Sequence, residues 1–262
     1  MEDRLQWIRM QPAAWADWQP LRGGIEAHEL LRKRYRGALC RAVEADERRA
    51  NAVRRELAGP WWRRLGPSAT KVGAVADGSV QMLWANMALH MAADPGALIA
   101  QWHRALSTDG FLMFSCLGPD TLRELRGVYA KAGWPAPAHD FTDMHDWGDM
   151  LVQAGFAEPV MDMERITLTW ETPARLLGEL RDLGANLHPA RFPALRGRGW
   201  RASLEHALQG ALGGGDGRLA LTFEIIYGHA FKPAPRIPVA GESAVSLQDM
   251  RALLQSGGGR RT

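Results

Sequence analysis

Residues 80–126 constrain this chain more than any other stretch. An apolar strand over residues 80–84 leads into a polar break at Asn86. A helix over residues 95–106 follows, with Leu98, Ile99, Trp102 and Leu106 on one stripe. A second apolar run, residues 111–115, has the unbroken character of a parallel strand covered on both faces, and another helix comes after it. Strand, helix, strand and helix in that order form the carboxyl half of a doubly wound α/β sheet, whose ligand sites lie at the strand ends.

The rest of the chain is compatible with that frame. Its 262 residues suffice for one α/β domain with an insertion, and 46% apolar against 23% charged residues permits a sizeable core. A net charge of +3 points to no nucleic-acid partner. The basic residues are almost all Arg; Lys33, Lys71, Lys131 and Lys232 are the only lysines. Cys40 and Cys116 lack the spacing of a disulfide framework or zinc site, so no metal is expected. No run approaches the ~20 apolar residues of a membrane span. Met1-Glu2-Asp3-Arg4 opens no signal peptide, and a soluble, cytoplasmic, monomeric protein is the default expectation.

Upstream, a short strand is expected over residues 14–18, a helix over 26–35 opened by Gly23-Gly24, a strand over 39–44 and a charged helix over 46–57 with Val53 and Leu57 on one face. Residues 59–78, with Trp61 and Trp62, read as loop. Thr121-x-x-Glu124 has the pattern of a capping box, and residues 144–154 of a helix with Trp147, Met150 and Leu151 in phase. After Gly155 come a strand over 160–170, a helix to about Leu183 capped by Thr172 with Pro173 at its first position, and a helix over 200–212. Gly213-Gly214-Gly215 marks a loose turn. A half-buried strand over 218–231 sets Leu219, Leu221, Phe223, Ile225 and Tyr227 on one face. Two late strands separated by helices suggest an antiparallel pair carrying a helical insertion. A tail over 234–262, partly flexible, holds one short helix at Ser246-x-x-Asp249.

Three pieces of wording are specific: Trp84-Ala85-Asn86-Met87-Ala88-Leu89-His90, the run Gly118-Pro119-Asp120-Thr121-Leu122-x-Glu124-Leu125-Arg126, and Asp143-Met144-His145-Asp146 before Gly155-Phe156. With the helix after Thr172, they resemble the malonyl-acyl-carrier-protein O-methyltransferases of biotin synthesis, within the class I S-adenosylmethionine-dependent methyltransferases. The resemblance covers roughly residues 21–233. It implies an α/β, Rossmann-like sheet with a helical insertion, about 172–212, between the last two strands, in a methyltransferase-like domain over 1–233.

It also implies a chemistry. A methyl group passes from a sulfonium donor, S-adenosyl-L-methionine, to a free carboxyl carried by acyl-carrier protein. Carboxyls titrate near ~4, so the nucleophile is already ionised and no catalytic general base is expected. Positioning and desolvation carry such a reaction.

The cofactor-binding candidates implied are Gly23, Gly24, Glu44, Asn86 and His90. Glu44 ends the second strand, where a carboxylate with two acceptor oxygens suits the ribose diol. An ordinary charged residue is the plain alternative. Gly23 and Gly24 stand where the class has a glycine-rich turn, though a turn before a helix explains them equally well. Asn86 offers donor and acceptor groups at the mouth of the site; His90 follows it, or else faces solvent at a helix start. Trp84 reads as core and Cys116 as a buried thiol. Tyr129, His145, Tyr227 and His229 read as packing or surface residues that could line a channel. The insertion carries Arg175, Arg181, Arg191, Arg196, Arg198 and Arg201, a solvated face or a dock for an acidic carrier.

The chain departs from the class pattern of an acidic residue followed by G-x-G-x-G. It offers Leu21-Arg22-Gly23-Gly24-Ile25-Glu26, with Asp17 at a spacing that fits poorly. Residues 70–77 supply no counterpart to the acid that contacts adenine, and Gln81 stands where Asp is common. The amino terminus begins only a few residues before the first strand, so the family's helical lid is expected to be absent or the start to be internal. These departures leave a rival reading, a methyltransferase-fold protein that has lost its cofactor and works as a binding or scaffold module. A third is a methyltransferase for another small carboxylate.

Overall fold

The computed structural model describes residues 1–58, 70–215 and 217–235. Trp61, Trp62, the helix expected at Ser246 and nearly all of the tail lie outside the described residues.

Seven strands form one sheet: β1 (Ala14–Trp18), β2 (Leu39–Val43), β3 (Lys71–Val72), β4 (Val80–Ala85), β5 (Leu106–Leu117), β6 (Ala157–Trp170) and β7 (Leu219–Phe231), in the order β3-β2-β1-β4-β5-β7-β6. The first five run parallel. β7 inserts antiparallel between β5 and β6, giving the reversed pair that the sequence suggests. β1 has β2 on one side and β4 on the other, so chain direction around the sheet switches between β1 and β4. Their carboxyl ends therefore open a crevice.

Helices α1 (Pro20–Gly23), α2 (Ile25–Arg34), α3 (Glu47–Glu56), α4 (Pro95–Ala105), α5 (Arg123–Lys131), α6 (Met144–Gln153), α7 (Pro173–Leu183) and α8 (Arg198–Leu212) join the strands. Local chemistry sets several starts. Asp46, Asp94 and Asp143 each accept from a backbone N–H of the first turn at 2.8 Å, from Arg49, Ala97 and His145. Thr172 caps α7 through the Arg175 N–H at 3.3 Å, ahead of Pro173. No helix among the described residues is long and apolar enough to cross a membrane.

The period-two alternation of the central strands splits the core. Leu83, Ala85, Leu112 and Phe114 pack with Ile99, Trp102, Trp147 and Leu151 on one face. Met82, Trp84, Phe111 and Met113 pack with Trp15, Leu31 and Tyr35 on the other. A third cluster joins Leu219, Leu221 and Phe223 of β7 to Leu125, Leu176, Leu204 and Leu208, seating the insertion on the sheet.

Four expectations need correction. The region read as loop over 59–78 contains β3, a strand of two residues and too short for any periodic signal. β5 begins at Leu106, directly after α4, where a longer connection was expected. On β7 the buried set shifts: Leu219, Leu221 and Phe223 are buried, but beyond them Ile226 and Ala230 are, while Ile225 and Tyr227 are only half-buried. The strand is covered on one face by the insertion helices and on the other by the main core. Finally, Thr121 and Glu124 form no capping box. α5 starts after Leu122 at φ 58, and both side chains instead bond across to β7.

Candidate functional site

The turn leaving β1 is the first wall. Gln19, at φ 58 and ψ 57, holds the left-handed conformation that glycine adopts at least cost. Asp17 stands in β1 two residues before Gln19, and the turn runs on through Leu21 to Gly23. Gly23 is required by proximity: a Cβ there would stand 2.9 Å from the Asn86 carbonyl oxygen. Gly24 is required by its φ of +95.

Asp17 is buried, and burial raises its carboxyl above the ordinary range. It pairs with His28 Nδ1 at 2.8 Å, and His28 Nε2 lies 2.9 Å from Thr70 Oγ1. This buried chain ties β1, α2 and the approach to β3 behind the turn. His28 and Thr70 went unread in the sequence; a histidine on the inner stripe of α2 was their only signal.

Glu44 follows β2 and reaches the same turn, accepting from the Leu21 N–H at 3.0 Å through Oε1. Its Oε2 is sheltered from solvent and has no hydrogen-bond partner among the described residues, while burial pushes the carboxyl upward. An orphaned carboxylate oxygen costs free energy unless a donor meets it. The hydroxyls of a ribose diol are donors of the required kind, so Glu44 fits a nucleoside cofactor. The segment after β3 adds no acid toward it, since Asp77 is exposed in the turn before β4.

Asn86 closes the opposite side. Its Nδ2 donates to the Gly23 carbonyl, and its Oδ1 accepts from Ser115 Oγ at 2.5 Å. Ser115 Oγ also accepts from the Met87 N–H at 3.2 Å. Asn86 thus staples the β1 turn to the ends of β4 and β5 across the switch point. Ser115, a hydroxyl at the end of an apolar strand, is the partner the sequence reading passed over.

His90 lies one turn further on. Leu117 N–H donates to its Nδ1 at 3.3 Å, which leaves the ring proton on Nε2. Burial, with the Arg22 guanidinium nearby, pushes its pKa down to about 3, so the ring is neutral under ordinary conditions. Arg22 also responds to Glu44, which puts Glu44, Arg22 and His90 in one electrostatic neighbourhood. Beside His90 opens a cavity of about 130 Å³ walled by Leu117, Thr121, Leu125, Phe141, Leu180 and Phe223. Sheet and insertion therefore share it.

The other candidates lie elsewhere. Trp84 and Cys116 are buried in the core, and burial raises the Cys116 thiol well above its usual range. Tyr227 donates to Glu164 at 3.0 Å beneath the Arg4 guanidinium. His145 is exposed beside Asp143, His229 packs between Phe111 and Phe231, and Tyr129 joins an aromatic cluster with Trp134 and Trp200.

A family model described as "Methyltransferase domain" matches residues 23–114. Among solved structures, the YcgJ protein from Bacillus subtilis shares the fold with a TM-score of 0.54 at 12% identity, over 84% of this chain and 92% of that one. Phosphoethanolamine N-methyltransferase 2 of Haemonchus contortus, solved with S-adenosyl-L-methionine, gives a TM-score of 0.51 at 12% identity, over 88% of this chain and 51% of that one. Sequence similarity is more specific. The malonyl-[acyl-carrier protein] O-methyltransferase of Gallionella capsiferriformans (strain ES-2) is 37% identical over 261 residues, covering 94% of this chain and 86% of the relative. That of Halorhodospira halophila (strain DSM 244 / SL1) is 36% identical over 87% of this chain and 77% of the relative. At these identities and coverages, the chain belongs to the malonyl-[acyl-carrier protein] O-methyltransferase family.

Proposed function

We propose that this chain methylates the free carboxyl of malonyl-acyl-carrier protein with S-adenosyl-L-methionine, a step of biotin synthesis. Residues 1–233 act as one methyltransferase-like domain whose insertion walls the acceptor side. The observation that carries the reading is the sheltered Oε2 of Glu44, without a hydrogen-bond partner among the described residues, beside a turn stapled by Asn86, within a chain 37% identical to a protein of that name.

When bound, S-adenosyl-L-methionine supplies an electrophilic methyl on a sulfonium. The chain's residues bind and orient. Glu44 would hold the ribose diol through Oε2, since Oε1 is already engaged by the Leu21 N–H. Gly23 and Gly24 let the turn backbone approach, and Asn86 fixes its distance from β4. On the acceptor side the neutral His90 presents Nε2–H, a donor that can hold one carboxylate oxygen while leaving the other free to attack. A neutral donor is suited to this task, because an imidazolium would stabilise the ionised nucleophile more strongly and blunt it. The apolar walls around Leu125, Phe141 and Leu180 limit water at the carboxylate. Binding energy and orientation, not proton transfer, then supply the rate.

Incubating the protein with S-adenosyl-L-methionine and malonyl-acyl-carrier protein tests this directly. Mass spectrometry should detect the methyl ester on the carrier. Intact carrier after many hours at high enzyme concentration would rule the activity out.

A further inference from the structure

We infer that the exposed face built by residues 181–201 of the insertion is the docking surface for the acidic carrier protein, delivering its acyl arm to the cavity beside His90. This rests on the proposed function and adds where the carrier binds.

Charge is the first support. Residues 181–201 hold five arginines against one acid, Asp182, a larger positive excess than the +3 of the whole chain. Arg181, Arg191, Arg198 and Arg201 are exposed. Arg175 and Arg201 are neutralised by Glu179 at 3.0 Å and Glu205 at 2.8 Å. Among the described residues, no ion pair engages Arg181, Arg191 or Arg198. Arg191 donates only to the His188 carbonyl at 3.2 Å, so its charge is not neutralised, and arginines without an acidic partner on one segment raise the encounter rate of an acidic protein and fix its register.

Apolar exposure is the second. Leu183, Leu187 and Leu195 are 66%, 46% and 100% exposed within the same segment, a mixture of leucine and arginine suited to an acidic surface that also offers apolar contacts. The segment is also anchored. Arg196 lies over Phe192 at 4.4 Å and over Trp200 at 4.0 Å, and Trp200 meets Trp134 at 5.7 Å. Asn186 donates to the Ala136 carbonyl at 2.8 Å.

Continuity is the third. Leu183, Gly184, Ala185 and Asn186 belong at once to this segment and to the wall of the cavity that holds His90. A carrier seated on the arginines would therefore have its tethered thioester beside the cavity. Anionic membrane is the competing partner for such a mixture, and vesicle binding enters the test for that reason.

The test compares two acceptors on the full chain: malonyl-acyl-carrier protein and malonyl-pantetheine, which has the thioester without the carrier. In an Arg181→Glu/Arg198→Glu variant, KM for the carrier substrate should rise by about tenfold or more, with kcat and the KM for malonyl-pantetheine within about twofold. Arg36→Glu, on an exposed turn elsewhere, should change neither. If the double variant melts early, Arg191→Glu should give the same split at smaller amplitude. A wild-type protein that methylates neither acceptor overturns the proposed function, and the dock with it. Methylation of both with an unchanged carrier KM in the variants overturns the dock alone, as does an equal KM rise for both acceptors. Wild-type cosedimentation with phosphatidylserine vesicles that the double variant loses, while carrier kinetics stay unchanged, would assign the face to membrane instead.

Discussion

Glu124 on α5 accepts from both the backbone N–H of Thr222, at 3.0 Å, and its hydroxyl, at 2.5 Å, on β7. Around this pair, Thr121 Oγ1 donates to the Glu224 carbonyl and accepts from its N–H, both at 3.1 Å. The Asp120 N–H donates to the Glu224 carboxylate at 2.7 Å. The run from Gly118 to Arg126 is therefore a clamp that fixes the end of β5, and Leu117 with it, against the reversed strand. Because Leu117 N–H sets the His90 tautomer, the clamp reaches the site through the backbone.

Removing the clamp carboxylate should cost stability. Hydrogen bonds to a charged acceptor are worth about 1.5–3 kcal/mol, so Glu124→Ala should lower the unfolding free energy by about that much in urea titrations. Burial pushes the Glu124 carboxyl up, but the hydrogen bonds from Thr222 outweigh it and hold the carboxyl below its ordinary 4.5. The folded state thus releases its proton more readily than the unfolded chain, and the contribution is full above pH 4.5 and lost as pH falls through the depressed folded value. The Glu124→Ala penalty should shrink correspondingly as the pH falls below 4.5, a trend absent if the clamp bond does not form.

His90 offers a spectroscopic check. Its folded pKa lies near 3 against an ordinary 6.5, so the unfolded chain takes up a proton that the folded chain refuses between those values. Acidification across that window destabilises the fold, and the stability tied to the neutral ring is full above pH 6.5. In solution NMR the His90 ring signals should not titrate between pH 5 and pH 8, and Nε2 should carry the proton. A titration midpoint between 6 and 7 would contradict the buried, neutral assignment.

Gly23 and Gly24 separate two kinds of requirement. Gly23→Ala drives a Cβ into the backbone of Asn86 and should destabilise by about 1–3 kcal/mol, with a matching loss of cofactor affinity as the turn shifts. Gly24→Ala meets open space but a φ of +95, and should cost about 1 kcal/mol through backbone strain alone. Denaturant midpoints for the two variants, with m-values unchanged, distinguish these causes; equal effects on affinity would show that the staple to Asn86 is not what shapes the turn.

Buried polar pairing behind the turn makes a stronger demand. Asp17 and His28 are 2% and 0% exposed, so His28→Leu strands a buried carboxyl. Loss of about 3 kcal/mol is expected, and Asp17→Asn/His28→Leu should recover part of it. Thermal melts of both variants measure this, and additive losses would mean the pair is not coupled.

The sequence made the central elements legible where physics is local. β4 and β5 were readable because parallel strands buried on both faces are continuous apolar runs, and α7 because Thr172-Pro173 is a start signal in itself. β3 was not, since two residues carry no period. Thr121 and Glu124 were misassigned because a capping box and a clamp to another strand need the same residue types; only the distant Thr222 and Glu224 decide between them. At the site, Glu44 and Asn86 were proposed from the family resemblance together with their positions at strand ends. The Asn86 partner, Gly23 O, lies 63 residues away, and no pattern along the chain announces it. The pairing of Asp17 with His28 was not legible either, because the two lie on different elements and no pattern along the chain links them.

The central claim is that the turn from Gln19 to Gly24, with Glu44, still holds a sulfonium nucleoside. Isothermal titration of the full chain with S-adenosyl-L-methionine tests it most directly. The account predicts binding in about the micromolar range, weakened by about tenfold to a hundredfold in Glu44→Gln, which retains the fold but replaces the charged acceptor of the ribose diol. No heat from wild type at millimolar ligand, with the protein folded by circular dichroism, would contradict it and leave a methyltransferase fold that binds something else.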